Sequence, residues 1–122
     1  MSVALFSQNG KDKISAARKV SYMKSADKQQ LKAVYMYDSS EKCISRNLYI
    51  ENGQNEWVPI HKYEYTYNNN GLVGNVVFTK WDERKGNWEK NALVLVHDYD
   101  LSGKMLSQKE MIMTNNNLIS SK

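Results

Sequence analysis

Hydrophobic and polar side chains alternate with a period of two along most of the chain, and the segment "YEYTYNNNG" (Tyr63–Gly71) shows it most clearly. His61, Tyr63, Tyr65 and Tyr67 fall on one face of an extended strand, with Lys62, Glu64 and Thr66 on the other. Tyrosine and threonine are good strand formers. The run stops at asparagines and a glycine: Asn68 can bond the backbone two residues on, and Gly71 takes a left-handed conformation without steric cost.

The same phrase recurs. "YMYDSSEK" (Tyr35–Lys42), "YTYNNNGL" (Tyr65–Leu72) and "HDYDLSGK" (His97–Lys104) align with Tyr37, Tyr67 and Tyr99 in register, 30 and 32 residues apart. Asp38, Asn68 and Asp100 follow each tyrosine, and Glu41, Gly71 and Gly103 stand four residues beyond it. Trp57 and Trp88 keep the same period, and "FSQNGK" (Phe6–Lys11) is a degenerate first copy. A second strand follows each turn, at Cys43–Ile50, Val73–Trp81 and Met105–Met113. Further turns are marked by Ser25–Lys28, Asn52-Gly53 and Lys85-Gly86-Asn87.

Two strands per copy of about 31 residues predict an all-β antiparallel up-and-down meander of about seven or eight strands. A curved single sheet, an open barrel and a sandwich all satisfy this pattern. Pro59 stands where a strand can begin without losing a ladder bond. Residues 92–96 are apolar on both faces and predict the most buried strand. Lys13–Met23 is read as a strand, although Ala16, Ala17, Val20 and Met23 would also share one face of a short helix. The segment from Thr114 onward, "TNNNLISSK", reads as a flexible tail.

The phrase from Trp57 to Gly71, "WVPIHKYEYTYNNNG", resembles a family of secreted proteins of gut anaerobic bacteria, a domain of unknown function. Its copies run W-x-P, a tyrosine-alternating strand, an Asp/Asn-Gly turn, a second strand and another tryptophan. "YDLSGK" (Tyr99–Lys104) is more distantly similar to the tyrosine–aspartate repeats of large bacterial surface and toxin-shell proteins. The resemblance covers about residues 33–113; Glu41 replaces the usual glycine and His97 a tyrosine. It implies a hairpin-repeat fold and export to the periplasm or cell surface, and no activity.

At 122 residues the chain has the length of one domain, residues 1–122. Net charge is +4, unevenly placed: residues 1–32 carry seven Lys/Arg against two Asp, and the remainder ten against eleven acids. A nucleic-acid interface spreads cations over a defined face, so this distribution argues against one. No apolar run reaches membrane-spanning length. "MSVALFSQ" reads equally as a signal-peptide remnant over residues 1–7 or as a plain N-terminal strand.

Enzymatic chemistry finds little support. Cys43 aligns with apolar Val73 and Met105 and reads as a packing position rather than a nucleophile. His61 and His97 alone are too few to hold a metal, and no cofactor loop is present. Of the acidic pairs Asp98/Asp100 and Asp82/Glu83, the first includes a turn-capping column that also holds Asn68, which is no acid.

The aromatic columns carry the functional expectation: Trp57, Trp81, Trp88, Tyr63, Tyr65, Tyr67 and Tyr99 are the candidate binding residues. With Tyr35 and Tyr37, the tyrosines are expected to form a cross-strand ladder. Such rings bind sugars or peptides, and they also simply stabilise sheets. The expectation is a non-enzymatic exported structural or interaction module whose sheet edges pair with another protein or another copy. The alternative is a glycan-binding module.

Overall fold

The computed structural model describes residues 17–115 and 117–120. The signal-like start, the degenerate copy at Phe6–Lys11 and the beginning of the Lys13–Met23 segment lie outside the described residues. Within them there is no helix. Nine strands are present: β1 (Ala17–Lys24), β2 (Gln30–Tyr37), β3 (Cys43–Glu51), β4 (Trp57–Tyr67), β5 (Val73–Asp82), β6 (Asn87–Trp88), β7 (Ala92–Tyr99), β8 (Met105–Thr114) and β9 (Asn117–Ser120). They form one antiparallel meander in the order β1-β2-β3-β4-β5-β7-β8-β9, with the two-residue β6 pairing with β5. Their contacts fall into two units, residues 1–61 and 62–122, and the division lies within β4.

The turns explain why the strands start and stop where they do. At Asp38, Asn68 and Asp100 the opening residue's N–H donates to the carbonyl four residues on: Asp38 to Lys42 (2.9 Å), Asn68 to Leu72 (2.8 Å), Asp100 to Lys104 (2.9 Å). The carbonyl of each opening residue accepts from the residue three on, which is Glu41, Gly71 or Gly103. The side-chain Oδ1 of the opening residue accepts two more backbone N–H groups, from Ser40 and Lys42, Asn70 and Leu72, and Ser102 and Lys104. A short Asp or Asn thus satisfies the donors that the ladder leaves open. Ser25 and Asn52 open turns closed by the same four-residue reach, to Gln29 and Glu56.

The third residue after each opener must be left-handed, and here Glu41 carries a cost that glycine does not. Its φ is +67°, against +81° at Gly71 and +92° at Gly103. A side chain in that region costs about 1 kcal/mol or somewhat more. Glu41 is exposed, so Glu41→Gly is expected to stabilise the protein by about 1 kcal/mol in urea titration.

Asp100 supplies a pH signature. Its carboxylate accepts from the Lys104 N–H and the Ser102 hydroxyl, and these bonds, the Lys104 one first, hold it below its ordinary 3.8. A depressed folded value means that the stabilisation is complete above the unfolded value and is lost as pH falls through the folded one. Asp100→Asn keeps the cap, as Asn68 shows, and removes the titration. The variant is therefore expected to lose less stability than wild type on acidification below about pH 4, measured by urea unfolding across that range.

Each unit is thinly packed. Among the described residues only Ala33 in the first unit, and Thr79 and Val94 in the second, are buried. Ala33 is fully enclosed between Ser21 on β1 and Leu48 on β3. Val94 sits at the centre of β7, the segment expected to be most buried, between Val77 and Met111.

Three expectations need correction. The segment beyond Thr114 is not a frayed tail over Asn117–Ser120, which pair as β9 with β8 (Met113 with Leu118, Ile112 with Ile119). Asn115, with φ +53°, makes the connecting turn. The tyrosines form no cross-strand ladder, because β2, β4 and β7 are separated from one another by β3 and β5; Tyr35 instead faces Lys19 and Arg46. Pro59 lies inside β4 rather than ahead of it.

Candidate functional site

In the first unit one row of side chains runs across three strands: Tyr22 on β1, Lys32 on β2 and Tyr49 on β3 are register partners. Trp57, at the start of β4, joins them. The Lys32 ammonium lies 4.7 Å from the Trp57 ring centroid and 5.1 Å from that of Tyr49. The Tyr22 and Trp57 rings are 6.1 Å apart and tilted by 46°. Their strands are three spacings apart, about 14 Å along a flat sheet, so the two rings lean toward one another across β2 and β3. Tyr22 remains 64% exposed. The Lys32 cation gains from the two ring faces it lies over, those of Tyr49 and Trp57.

Two hollows flank this row. One, of about 480 Å³, is lined by Arg18, Lys32, Val34, Met36, Ser45, Asn47 and Tyr49. The other, of about 310 Å³, is lined by Gln30, Glu51, Asn55 and Trp57. Burial, and then the charge of Arg18, hold the Lys32 ammonium below its ordinary value. Among the described residues no carboxylate forms an ion pair with either cation of the larger hollow. Of this constellation the sequence had singled out Trp57 alone.

The other candidate aromatics lie in the second unit and are engaged with their own sheet. Trp81 and Trp88 are register partners across the β5–β6 turn and meet edge to face, with centroids 5.1 Å apart at 84°. The Lys62 ammonium caps Trp88 at 4.4 Å. Tyr63 packs on Phe78 at 5.0 Å and stacks parallel to Tyr65 at 6.3 Å. The Tyr99 hydroxyl donates to the Val73 carbonyl at 2.7 Å, bolting β7 to the start of β5. Tyr67 is half-buried at the end of β4, directly before the Asn68 turn. These contacts are those of a sheet reinforced by its aromatics. A hollow of about 440 Å³ beside Trp88 is lined among others by Lys62, Glu64 and Thr79.

Of the reactive side chains, Cys43 and His61 belong to the first unit and Asp82, His97 and Asp98 to the second. The Cys43 thiol donates to the Ser45 carbonyl at 3.3 Å, and burial pushes it up against the smaller opposing effects of Ser45 and Arg46. A thiol raised in this way holds little thiolate. Burial first, then the charge of Arg46, keep the His61 imidazole below its ordinary value. His97 is half-buried and its Nδ1 is enclosed without a hydrogen-bond partner. Asp98 accepts from the Ser107 hydroxyl at 3.1 Å, and Asp82 from the N–H groups of Arg84 and Lys85. Among the described residues no group of three or more His, Cys, Asp or Glu is placed to hold a metal, and no helix is long and apolar enough to cross a membrane.

The family model of a family of unknown function, DUF3836, matches residues 13–109. The chain belongs to this family. No curated protein and no solved structure matches it.

Proposed function

We propose that this DUF3836 protein is a non-enzymatic interaction module, an array of β-hairpin repeats acting after export at the cell surface or in the periplasm. The turn geometry shared by Asp38, Asn68 and Asp100 supports the repeat reading. Export is motivated by the sequence resemblance at Trp57–Gly71, and fractionation of the source cells tests it: a cytoplasmic pool alone would refute it.

The observation that carries the interaction reading is the end of the strand order at β9. Within Asn117–Ser120 there is no lysine, proline or bulge to blunt the edge, and Leu118 and Ile119 are each 47% exposed. The occupant we assign is a second copy of this chain, paired edge to edge through β9. A strand of four residues offers few ladder bonds, so the association is weak and reversible. Leu118→Lys is expected to abolish it in sedimentation experiments.

A second reading, glycan binding, is favoured by the face where Tyr49 and Trp57 lie against the Lys32 ammonium and Tyr22 packs on Trp57. Rings of this kind offer flat apolar faces to a sugar. Titration with oligosaccharides tests it, with loss of binding in Tyr22→Ala as the expected result.

A further inference from the structure

Cations and acids are sorted differently in the first unit. Five of the seven cations among its described residues, Arg18, Lys19, Lys24, Lys32 and Arg46, stand on β1–β3, while Lys28 and Lys42 share the turns with Asp27, Asp38 and Glu41; Glu56 lies in the next turn and Glu51 is the last residue of β3. The register puts Arg18 opposite Met36, Met36 opposite Ser45, and Val34 opposite Asn47, so these residues share the face that carries Lys32 and Tyr49. Among the described residues, the lining of the larger hollow on that face therefore has two cations, a hydroxyl, an amide, two apolar side chains and one aromatic ring, and no carboxylate. Glu51 belongs to the separate hollow beyond Trp57.

We propose that this hollow binds an acidic saccharide, a sugar bearing a carboxylate, with Arg18 and Lys32 as its charge partners. The proposal rests on the glycan reading above and narrows it to one ligand class and one location. Each lining group has a task in it. Arg18 presents a planar fork suited to a carboxylate, and Lys32 adds a second positive charge held in place by the Trp57 and Tyr49 rings. Ser45 and Asn47 offer donors and acceptors to ring hydroxyls. Tyr49, with Val34 and Met36 beneath, offers apolar surface to the carbon face of the sugar. The depressed Lys32 ammonium agrees with this arrangement: it is crowded by burial and by a like charge, and an anion between the two cations relieves both.

A neutral sugar meets the same ring and the same polar groups but leaves both cations without a counter-charge, so acidity is the discriminating property. The site is open to solvent and the charges are partly screened. The expected preference for the acidic ligand is about tenfold at physiological salt.

The test is calorimetric titration of the full chain with a galacturonate oligomer and with the neutral galactose oligomer of the same length. Wild type is compared with Arg18→Gln, Lys32→Gln and Lys80→Gln. Arg18 is exposed, so its variant probes the hollow without disturbing packing even where Lys32→Gln lowers stability. Lys80→Gln removes the same charge from the second unit and controls for net charge. Acidic binding about tenfold tighter than neutral, lost in Arg18→Gln and Lys32→Gln and retained in Lys80→Gln, supports the proposal. Equal binding of the two oligomers overturns the acidic assignment and leaves glycan binding standing. No binding of either overturns both. Equal weakening by all three variants, or equally tight binding of polyaspartate or single-stranded DNA, reduces the effect to net charge and overturns the site.

Discussion

Val94→Asp is expected to leave the protein unfolded at room temperature, with the sheet signal in circular dichroism lost without denaturant. Val94 is 2% exposed at the middle of β7, flanked in register by Val77 on β5 and Met111 on β8. An aspartate there has no polar partner in register on either side, so it is buried either as an unpaired charge or as an unpaired acid. Either state costs on the order of 4 kcal/mol or more. A single domain has about 5–15 kcal/mol in total. With so few enclosed side chains this protein belongs at the low end, and one such substitution consumes most of its margin. Val94→Ala, which leaves only a small void, is expected to fold with a lowered urea midpoint. A Val94→Asp protein with wild-type unfolding behaviour would show that β7 is not the centre of the second unit's packing.

Trp88→Ala is expected to cost about 2–3 kcal/mol, unusually much for a residue on a two-residue strand. Two side-chain contacts are lost together: the edge-to-face pair with Trp81 and the Lys62 ammonium over the ring. An aromatic pair contributes about 0.5–1.5 kcal/mol beyond area burial, and a cation over a partly exposed ring about 0.5–1. A double-mutant cycle with Lys62→Ala is expected to show coupling of about 0.5–1 kcal/mol in urea unfolding. Additive effects would mean that the lysine and the ring do not interact, and a Trp88→Ala cost near zero would show that the ring does not reinforce the sheet.

The parts of this architecture that sequence makes legible are those decided locally. An Asp or Asn that caps its own turn, followed by a residue that tolerates positive φ, needs nothing from elsewhere in the chain. Asp38, Asn68 and Asp100 accordingly open the turns expected of them, and β3, β5 and β8 begin at Cys43, Val73 and Met105. The tyrosine alternation likewise placed Tyr63 and Tyr65 on one face, where they stack. What sequence left hidden depends on distance along the chain. Tyr22 and Trp57 meet across two intervening strands, and alternation within one strand does not encode that contact. Lys32 reads as one lysine among many until register sets it between Tyr22 and Tyr49. β9 escaped because a four-residue strand after an asparagine run has too little alternation to register, and its pairing with β8 comes from the partner strand.

The proposed association through the β9 edge is open to a direct test by sedimentation equilibrium over a wide concentration range. The predicted result is a reversible, concentration-dependent dimer in wild type and a monomer in Leu118→Lys. A wild-type protein that stays monomeric at every concentration reached, indistinguishable from Leu118→Lys, would contradict it.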